Sequence, residues 1–372
     1  MTLSMRRLID QVSPGLFGSA GLPIGLHVAG ERLSAAQMQR TPAGLAVHAV
    51  GTLELGCPWY AMSGEPRRLK HALKEFWADR GFRGSDVVAS MPHEQVRVFS
   101  VDYAVTQGQT DAEAIASELR DRLKGKAHRM VVDFVPVRQP NPDERLKEAV
   151  VAAAAHEDVT AFLDLLGGAG LNVRALDISG MALRRIVPWV GKGSVEEMQN
   201  ALLIDVGAAS SHLMVVWGRR LMVDRAIEFS EQRVFSRIAK LLDMPEHAAK
   251  RLLAEHGFAA TGGNKASQFH TVLREVLGPE LLGLKTEMNK TLDYAASKTR
   301  GSSVDRIFLV GGIGGYAGSA QFLGEALAKR VELLDPLAIF PHRLTAQQVA
   351  ELLPHHGVAV AVGLALRGLP EL

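Results

Sequence analysis

Three short strands in succession occur twice in this chain, and that repetition limits the folds it can adopt. The strands of the first copy are predicted over Ile24–Val28, Leu33–Gln39 and Leu45–Leu55, with turns at Ala29-Gly30-Glu31 and Thr41-Pro42-Ala43-Gly44. The strands of the second copy are predicted over Ala201–Val206, Ser211–Trp217 and Leu221–Phe229, with turns at Gly207-Ala208-Ala209 and Gly218-Arg219-Arg220. Strands joined by such short turns form a meander. The repeat predicts two related halves, each built on a meander, that face each other across a cleft.

Each meander is followed by a mixture of helices and short buried strands. The further strands are predicted over Val87–Met91, Met130–Val137 and Arg306–Val310. Helices are predicted over Pro66–Arg80, Thr110–Leu123, Val159–Ala169, Ser179–Val187, Glu231–Leu242, Pro245–His256, Phe269–Lys298 and Ser319–Arg330. This order predicts an α/β fold with a mixed sheet in each half.

Length and composition narrow the class of protein. A chain of 372 residues exceeds what one hydrophobic core usually supports. The formal net charge is only +2, so nothing indicates a nucleic-acid partner. Cys57 is the single cysteine, the first residues lack the apolar core of a secretory signal, and no apolar run approaches the roughly 18 residues of a membrane span. We therefore expect a cytoplasmic protein without a transmembrane segment.

The turn of the second meander has the residues of a phosphate-binding loop. A strand ends at Asp205, and small residues follow: Gly207, Ala208, Ala209, Ser210 and Ser211. Backbone N–H groups in such a turn form an anion-binding nest, and a carboxylate at the strand end can hold a magnesium ion through water. These residues are candidates for binding ATP and Mg²⁺. The alternative is a plain β-hairpin in which Asp205 caps the turn.

A second glycine-rich element lies in the last third of the chain. In Phe308–Gly318 a buried strand runs into Gly311, Gly312 and Gly314 and then into a helix. Backbone without side chains can approach an adenine or ribose closely. The alternative is a tight strand-to-helix turn, because a short glycine motif alone is weak evidence.

These segments together resemble the PilM family of type IV pilus assembly proteins, which are relatives of the cell-division protein FtsA. Leu202–Val216 is similar to the family's second phosphate motif and Ile307–Leu327 to its adenosine motif. Glu148–Arg185 is similar to the stretch that closes the first half, and Val87–Pro92 resembles the entry to an inserted subdomain. The resemblance covers nearly the whole chain. It implies the actin-like ATPase fold, with two RNase H-like halves.

The resemblance also implies a division of the chain. The first half is expected over residues 1–195, with an inserted subdomain over about 84–170. The second half is expected over residues 196–372, with a helical insertion over about 231–302. The stretch Gly191–Ser194 is a reasonable boundary between them.

The first phosphate motif departs from the family pattern. The segment Gly25–Ser34 keeps Gly25 but has His27 in place of the carboxylate and Glu31 beside the expected phosphates. A neutral imidazole cannot replace a carboxylate as a partner of magnesium-bound water, and Glu31 would repel phosphate. Ala249 stands where relatives carry a Glu near the nucleotide. The sequence therefore predicts that the first half binds phosphate poorly.

By resemblance, the chain is expected to be a scaffold of a type IV pilus or related secretion platform. It would bind the N-terminal peptide of an inner-membrane partner, PilN in the pilus systems, and so lie peripherally at the inner membrane. Self-association is also open. The alternatives are an active ATPase or phosphotransferase that uses Asp205, and the actin-like component of a type II secretion system. Two further residues, Asp177 and Ser179, are expected either to reach the cleft or to be a strand end and a helix N-cap.

Overall fold

The computed structural model describes residues 22–122, 129–137, 146–190, 200–258, 264–299, 301–352, 357–367 and 369. Its strands are β1 Ile24–Ala29, β2 Arg32–Thr41, β3 Gly44–Glu54, β4 Asp86–Ser90, β5 Val96–Tyr103, β6 Met130–Val137, β7 Lys147–Ala155, β8 Asn172–Asp177, β9 Ala201–Val206, β10 Ser211–Trp217, β11 Arg220–Ile227, β12 Arg306–Gly311 and β13 Val331–Leu333. Its helices are α1 Pro66–Arg80, α2 Asp111–Arg122, α3 His156–Gly168, α4 Ser179–Arg184, α5 Glu231–Leu241, α6 Glu246–His256, α7 Asn264–Lys298, α8 Ser319–Leu327, α9 Pro336–Ile339, α10 Ala346–Leu352 and α11 Gly357–Ala365.

Two large sheets have the same topology. Their strand orders are β3-β2-β1-β4-β8 and β11-β10-β9-β12-β13. In each sheet the first strand of the meander is antiparallel to the second and parallel to the next strand along, β1 to β4 and β9 to β12. Strands β1 and β9 are buried almost throughout, as expected of central strands covered on both faces. The repeated meander and the α/β class predicted from the sequence are therefore confirmed.

A third sheet, with the strand order β5-β7-β6, is formed by the part of the chain that connects β4 to β8. Its outer face packs on α2, where Ile115 and Leu119 are buried with Val101 and Phe134 of the sheet. Its inner face joins the main core through residues such as Val150. Both faces of the central strand β7 are thus covered, which suits its continuous apolar run.

The inserted sheet also contacts the second half of the molecule. Glu148 of β7 is almost completely buried and accepts a hydrogen bond from the hydroxyl of Tyr294 on α7. The Nζ of Lys298 lies 3.2 Å from the other carboxylate oxygen of Glu148. A charge that is paired and hydrogen-bonded in this way tolerates burial. The long helix α7 is therefore attached to the sheet inserted in the first half.

Helix α11 returns to the first sheet, where it packs on β1, β2 and α4. The approach is close because two glycines lie at the contacts. A Cβ at Gly25 would overlap the carbonyl oxygen of Ala361, and one at Gly363 would overlap the carbonyl oxygen of Ala182. The first sheet is therefore covered by residues from the end of the described chain. The domain limits 1–195 and 196–372, and the insertions over about 84–170 and 231–302, stay predictions, and Gly191–Ser194 lies outside the described residues.

Helix bounds agree with the sequence prediction at Pro66–Arg80 and differ most at α7, which begins at Asn264 rather than at Phe269. The helix that begins at Ser179 also differs from its predicted range. It was expected to reach Val187 but ends at Arg184, and a 3-10 turn follows over Val187–Trp189. Pro188 lies in that turn and would break an α-helix interior. Within the described ranges, no helix is both long enough and apolar enough to span a bilayer.

Candidate functional site

The first hairpin places His27 near the end of β1. Its side chain is buried, and its Nδ1 lies 2.7 Å from the Oγ of Ser90, the last residue of the neighbouring strand β4. Across the hairpin, His27 is in register with Ser34, and the start of α11 at Gly357 packs against both. Burial lowers the pKa of His27 from 6.5 to about 4. The imidazole is therefore neutral at physiological pH and hydrogen-bonded to a hydroxyl.

The second hairpin places Asp205 near the end of β9, in register with His212 of β10. The turn between the strands is tight, because a Cβ at Gly207 would overlap the carbonyl oxygen of Ser210. The backbone N–H groups of Glu231 and Gln232, at the start of α5, donate to the carbonyl oxygens of Gly207 and Ala208 at 3.0 Å each. The first turn of α5 therefore fixes the turn that begins at Gly207 through two backbone hydrogen bonds.

His93 connects the two hairpins. It follows β4 and reaches the second half, where its ring centroid lies 4.4 Å from that of His212. Its Nε2 is 2.7 Å from the Oγ of Ser179 and 3.9 Å from an oxygen of Asp205. On the other side, its ring centroid is 6.4 Å from that of His27. We call His27, His93, His212, Asp205 and Asp224 the cleft cluster.

The histidines of the cleft cluster differ in how readily they carry a positive charge. His212 Nδ1 lies 2.6 Å from a carboxylate oxygen of Asp224, and both side chains are buried. Burial by itself would lower the pKa of His212, but the hydrogen bond and charge of Asp224, with the charges of Asp205 and Glu94, raise that pKa above its ordinary value. Burial lowers the pKa of His93 well below its ordinary value, and His212 and His27 add to this effect. The cluster therefore favours the protonated form at His212 and disfavours it at His93.

The contact of His93 with Ser179 and Asp205 is not a hydrolytic triad. In a triad, the nucleophile and the carboxylate bind different nitrogens of the histidine. Here both Ser179 and Asp205 approach Nε2 of His93. Ser179 is also only 2% exposed, so a substrate cannot reach it. The cluster therefore lacks the arrangement of a hydrolytic triad, and its contacts link residues of the first sheet to residues of the second.

The glycine-rich element follows β12 as predicted, with Gly311 closing the strand and a 3-10 turn over Gly312–Gly315. Gly311 has a φ of 83°, and a Cβ there would lie 2.7 Å from a carboxylate oxygen of Asp205. A Cβ at Gly312 would lie 3.0 Å from a carboxylate oxygen of Glu231. The carboxylates of Asp205 and Glu231 therefore cover the backbone that was expected to cup an adenosine.

The remaining predicted residues fall into two environments. Ala208 and Ala209 are exposed at the tip of the turn, and Ser210 is partly exposed. Ser211 is completely buried, and its hydroxyl has no hydrogen-bond partner among the described residues. Gly314 lies in the 3-10 turn, where its carbonyl accepts a hydrogen bond of 3.2 Å from Ser319. The structure brings Asp205, Gly207, Gly311 and Gly312 together, whereas Ala208 and Ala209 are exposed at the tip of the turn.

These residues do not fit a magnesium nucleotide as they are arranged. A carboxylate that holds magnesium through water needs that water around it, but Asp205 is only 6% exposed and contacts Gly311 and His93. Glu231 would place a negative charge where the nucleotide is expected. Tyr316, which follows the 3-10 turn of the glycine element, packs against Phe258. Ala249, which stands where relatives carry a Glu, is completely buried. Within the described residues, no group of three or more His, Cys, Asp and Glu side chains is placed to hold a metal.

Asp177 and Ser179 have separate roles. Asp177 ends β8, accepts a hydrogen bond from the N–H of Ile178, and pairs with Arg185 at 2.8 Å and Arg367 at 2.9 Å. Burial would raise the pKa of Asp177, but the two arginines hold it below its ordinary value. Ser179 is not the N-cap of α4, because that position is occupied by Ile178. Its hydroxyl binds His93 instead.

His93 was missed in the sequence, although a signal was available. It follows a strand that was predicted, and carboxyl ends of parallel strands meet at one edge of a sheet. Had the pairing of β4 with β1 been anticipated, His93 would have been placed beside His27 at that edge. His212 was not a candidate site residue in the sequence either, and the structure places it in hydrogen-bond contact with Asp224.

Comparisons with known proteins agree with this architecture. The family model described as type IV pilus assembly protein PilM matches residues 39–369. A chain of the solved PilM-PilN type IV pilus biogenesis complex superposes with a TM-score of 0.72 and 23% identity, over 94% of this chain and 99% of that one. The ethanolamine utilization protein EutJ from Carboxydothermus hydrogenoformans superposes with a TM-score of 0.51 and 11% identity, over 92% of this chain and 89% of that one. The curated protein sequences include no significant match. The actin-like ATPase fold implied by the sequence is confirmed.

Proposed function

We propose a function from the premise that this chain belongs to the family of type IV pilus assembly proteins PilM. It acts as a scaffold at the cytoplasmic face of the inner membrane, where it binds a short N-terminal peptide of a PilN-like membrane protein. The observation that carries the proposal is the likeness to a chain of the PilM-PilN complex over 94% of this chain. The family match favours a pilus role over the type II secretion alternative.

The inserted sheet offers a surface for such a peptide. Four side chains on its inner face are apolar and only partly buried, namely Val98, Val131, Val135 and Ala152. Register places Val98 opposite Ala152, and Val135 opposite the buried Val150. Helix α3 and strand β11 cover part of this face, and the four side chains stay partly exposed beside them. An extended peptide that laid alternate side chains on this apolar strip would bury it and gain affinity.

A titration tests this binding. A synthetic peptide with the cytoplasmic N-terminal sequence of the PilN-like protein of the same organism would be added to the purified protein, and binding would be followed by fluorescence anisotropy. We expect saturable binding that Val98→Lys weakens by about tenfold or more, because a charge would have to be desolvated against the peptide. The near-isosteric Val135→Thr should weaken binding less.

The matched control is Glu118→Lys, which introduces the same side chain at an exposed position of α2 on the far side of the inserted sheet. It should leave the affinity unchanged. Binding that is equal in all variants would rule out the inner face as the groove, and the absence of binding to the wild-type protein would contradict the scaffold proposal. Self-association also stays a prediction, which sedimentation of the purified chain would check.

We also propose that the cleft holds the two halves together and does not hydrolyse ATP. The buried position of Asp205, the carboxylate of Glu231 over Gly312 and the neutral His27 support this proposal. Calorimetric titration with ATP and Mg²⁺ should show no binding at millimolar nucleotide, or weak binding without turnover. Tight binding and hydrolysis, both lost in Asp205→Ala, would instead establish the ATPase or phosphotransferase alternative.

A further inference from the structure

The outward face of α1 carries a stripe of basic side chains. Arg67, Lys70, His71 and Lys74 are all exposed and follow the spacing i, i+3, i+4, i+7, so they lie in one row along the helix. The buried face is formed by Leu69, Leu73 and Phe76 on the opposite side. We call Arg67, Lys70 and Lys74 the basic stripe, because these three carry a full charge at neutral pH.

The basic stripe is not neutralised by the protein. Within the part of the chain that the structure describes, Arg67, Lys70 and Lys74 form no ion pair. The nearby carboxylates of α1 and its N-cap approach other side chains: Glu65 lies 3.7 Å from Arg68, Glu75 lies 3.3 Å from His71 of the same row, and Asp79 lies 3.0 Å from Arg80. The first turn of α1 contains no acidic residue, and the helix dipole adds positive potential there. This face therefore attracts anions.

Apolar groups flank the basic stripe. The 3-10 turn Trp59–Met62 precedes α1 and leaves Tyr60 59% exposed. On α3, which packs against α1, Leu163 is 37% exposed. The buried Trp59 of the same turn packs edge-to-face against Phe162 of α3, with ring centroids 5.0 Å apart. Both elements contact α1, so an exposed tyrosine and an exposed leucine lie on the neighbours of the helix that carries the cations.

We propose that the basic stripe, with Tyr60 and Leu163, rests on an anionic phospholipid surface. Arginine and lysine side chains near such a surface each contribute about 1 kcal/mol, and exposed tyrosine favours the headgroup level. Three cations alone give weak, reversible attachment, which suits a protein that a membrane partner also holds. This step goes beyond the proposed peptide binding and relies on it only for the expected location at the inner membrane.

The position of α3 relates the two surfaces. It packs against α1 on one side and against β6 and β7 of the inserted sheet on the other. The basic stripe and the proposed peptide groove are therefore separated by α3 and by α1 itself, two packed layers that span on the order of 20 Å. A membrane protein whose short N-terminal segment enters the groove would hold the stripe within reach of the lipid headgroups.

Lipid explains this face better than nucleic acid does. Proteins that bind single strands combine cations with aromatic side chains along a groove. The outward row of α1 has no aromatic residue among its cations. The chain as a whole carries a net charge of only +2. The flanking Tyr60 and Leu163 instead supply the apolar contacts that an interface with lipid uses.

Co-sedimentation with vesicles tests the proposal on the full chain without its partner. We expect binding to mixed phosphatidylglycerol and phosphatidylethanolamine vesicles, none to phosphatidylcholine vesicles, and loss of binding in high salt. The triple variant Arg67→Gln, Lys70→Gln, Lys74→Gln should lower the partition coefficient on the order of 100-fold. Tyr60→Ser should lower it less.

The control removes three exposed cations elsewhere: Arg120→Gln, Lys240→Gln and Arg251→Gln, on α2, α5 and α6. It should bind vesicles as the wild-type protein does. Equal loss in both triple variants would overturn the proposal, because binding would then follow net charge. Equal binding to neutral vesicles, or a preference for an RNA oligonucleotide over anionic vesicles, would also overturn it. Each result is independent of the peptide titration, so either proposal can fail alone.

Discussion

The two hairpins of this protein have the same backbone topology but opposite polar chemistry. In the first, a neutral imidazole at His27 is hydrogen-bonded to the hydroxyl of Ser90. In the second, Asp205 faces His212, whose pKa is raised by its hydrogen bond to Asp224 and by the charge of that carboxylate. The sheets around them have matching strand orders. The buried apolar strands therefore determine the topology, and the residues at the strand ends are free to differ in charge.

The largest expected difference between the hairpins comes from the charged pair. Asp224→Ala should lower the free energy of unfolding by about 3–5 kcal/mol, because the protonated His212 would be left buried without its partner. Ser90→Ala removes only a neutral hydrogen bond from His27 and should cost about 1 kcal/mol. Urea unfolding of both variants checks this. Equal losses would mean that the second hairpin is not more dependent on charge than the first.

The turns of the two hairpins should differ in how much stability an alanine substitution costs. Gly207→Ala would drive a Cβ into the carbonyl oxygen of Ser210, and we expect it to cost about 3 kcal/mol. Gly30 of the first turn has a φ of 58° with open space around its Cβ position, so Gly30→Ala should cost only about 1 kcal/mol of backbone strain. Thermal unfolding of the two variants, measured side by side, gives the comparison. A larger loss at Gly30 would contradict the described turn geometry.

The pH dependence of stability differs in sign between the hairpins. The pKa of His27 is lowered from 6.5 to about 4 in the folded protein. The stability that neutral His27 contributes is therefore complete above pH 6.5 and is lost as the pH falls toward 4. Between neutral pH and about pH 5 this loss is about 2 kcal/mol. The pKa of His212 is raised, so its contribution is complete below 6.5 and is lost as the pH rises through the raised value.

Unfolding free energies of His27→Gln and His212→Gln over this pH range would separate the two effects. The first substitution should flatten the acid side of the profile, and the second should flatten the alkaline side. Burial also lowers the pKa of His93, so His27→Gln leaves part of the acid sensitivity in place. Identical profiles for the two variants would contradict the assigned protonation states.

The sequence was sufficient to predict the repeated meander but not the contacts that join the two sheets. Both meanders and α1 could be predicted because they depend on local patterns of apolar residues and turn residues. Strand β7 was not predicted, since its run of alanines has a high helix propensity and becomes a strand only because sheet neighbours lie on both sides of it. Tertiary pairing overrode the local preference there.

The candidate site was predicted in its parts and not in its assembly. Asp205, Gly311 and Gly312 were placed on the correct elements, and His27 was singled out as a departure. Contacts of His93 with Ser179 and His212 join residues far apart in the chain, so no local pattern could reveal them. Whether the predicted residues bind nucleotide stays a prediction for the calorimetric titration.

The return of α11 to the first sheet has a consequence for biosynthesis. Strand β1 is made early by the ribosome, but the helix that covers it, through the glycine contacts at Gly25 and Gly363, is made more than three hundred residues later. Until then the apolar face of the first sheet lacks part of its cover, whereas the second sheet can form from consecutive segments. Nascent chains stalled before residue 357 should therefore be prone to chaperone binding, and the second half should become protease-resistant before the first.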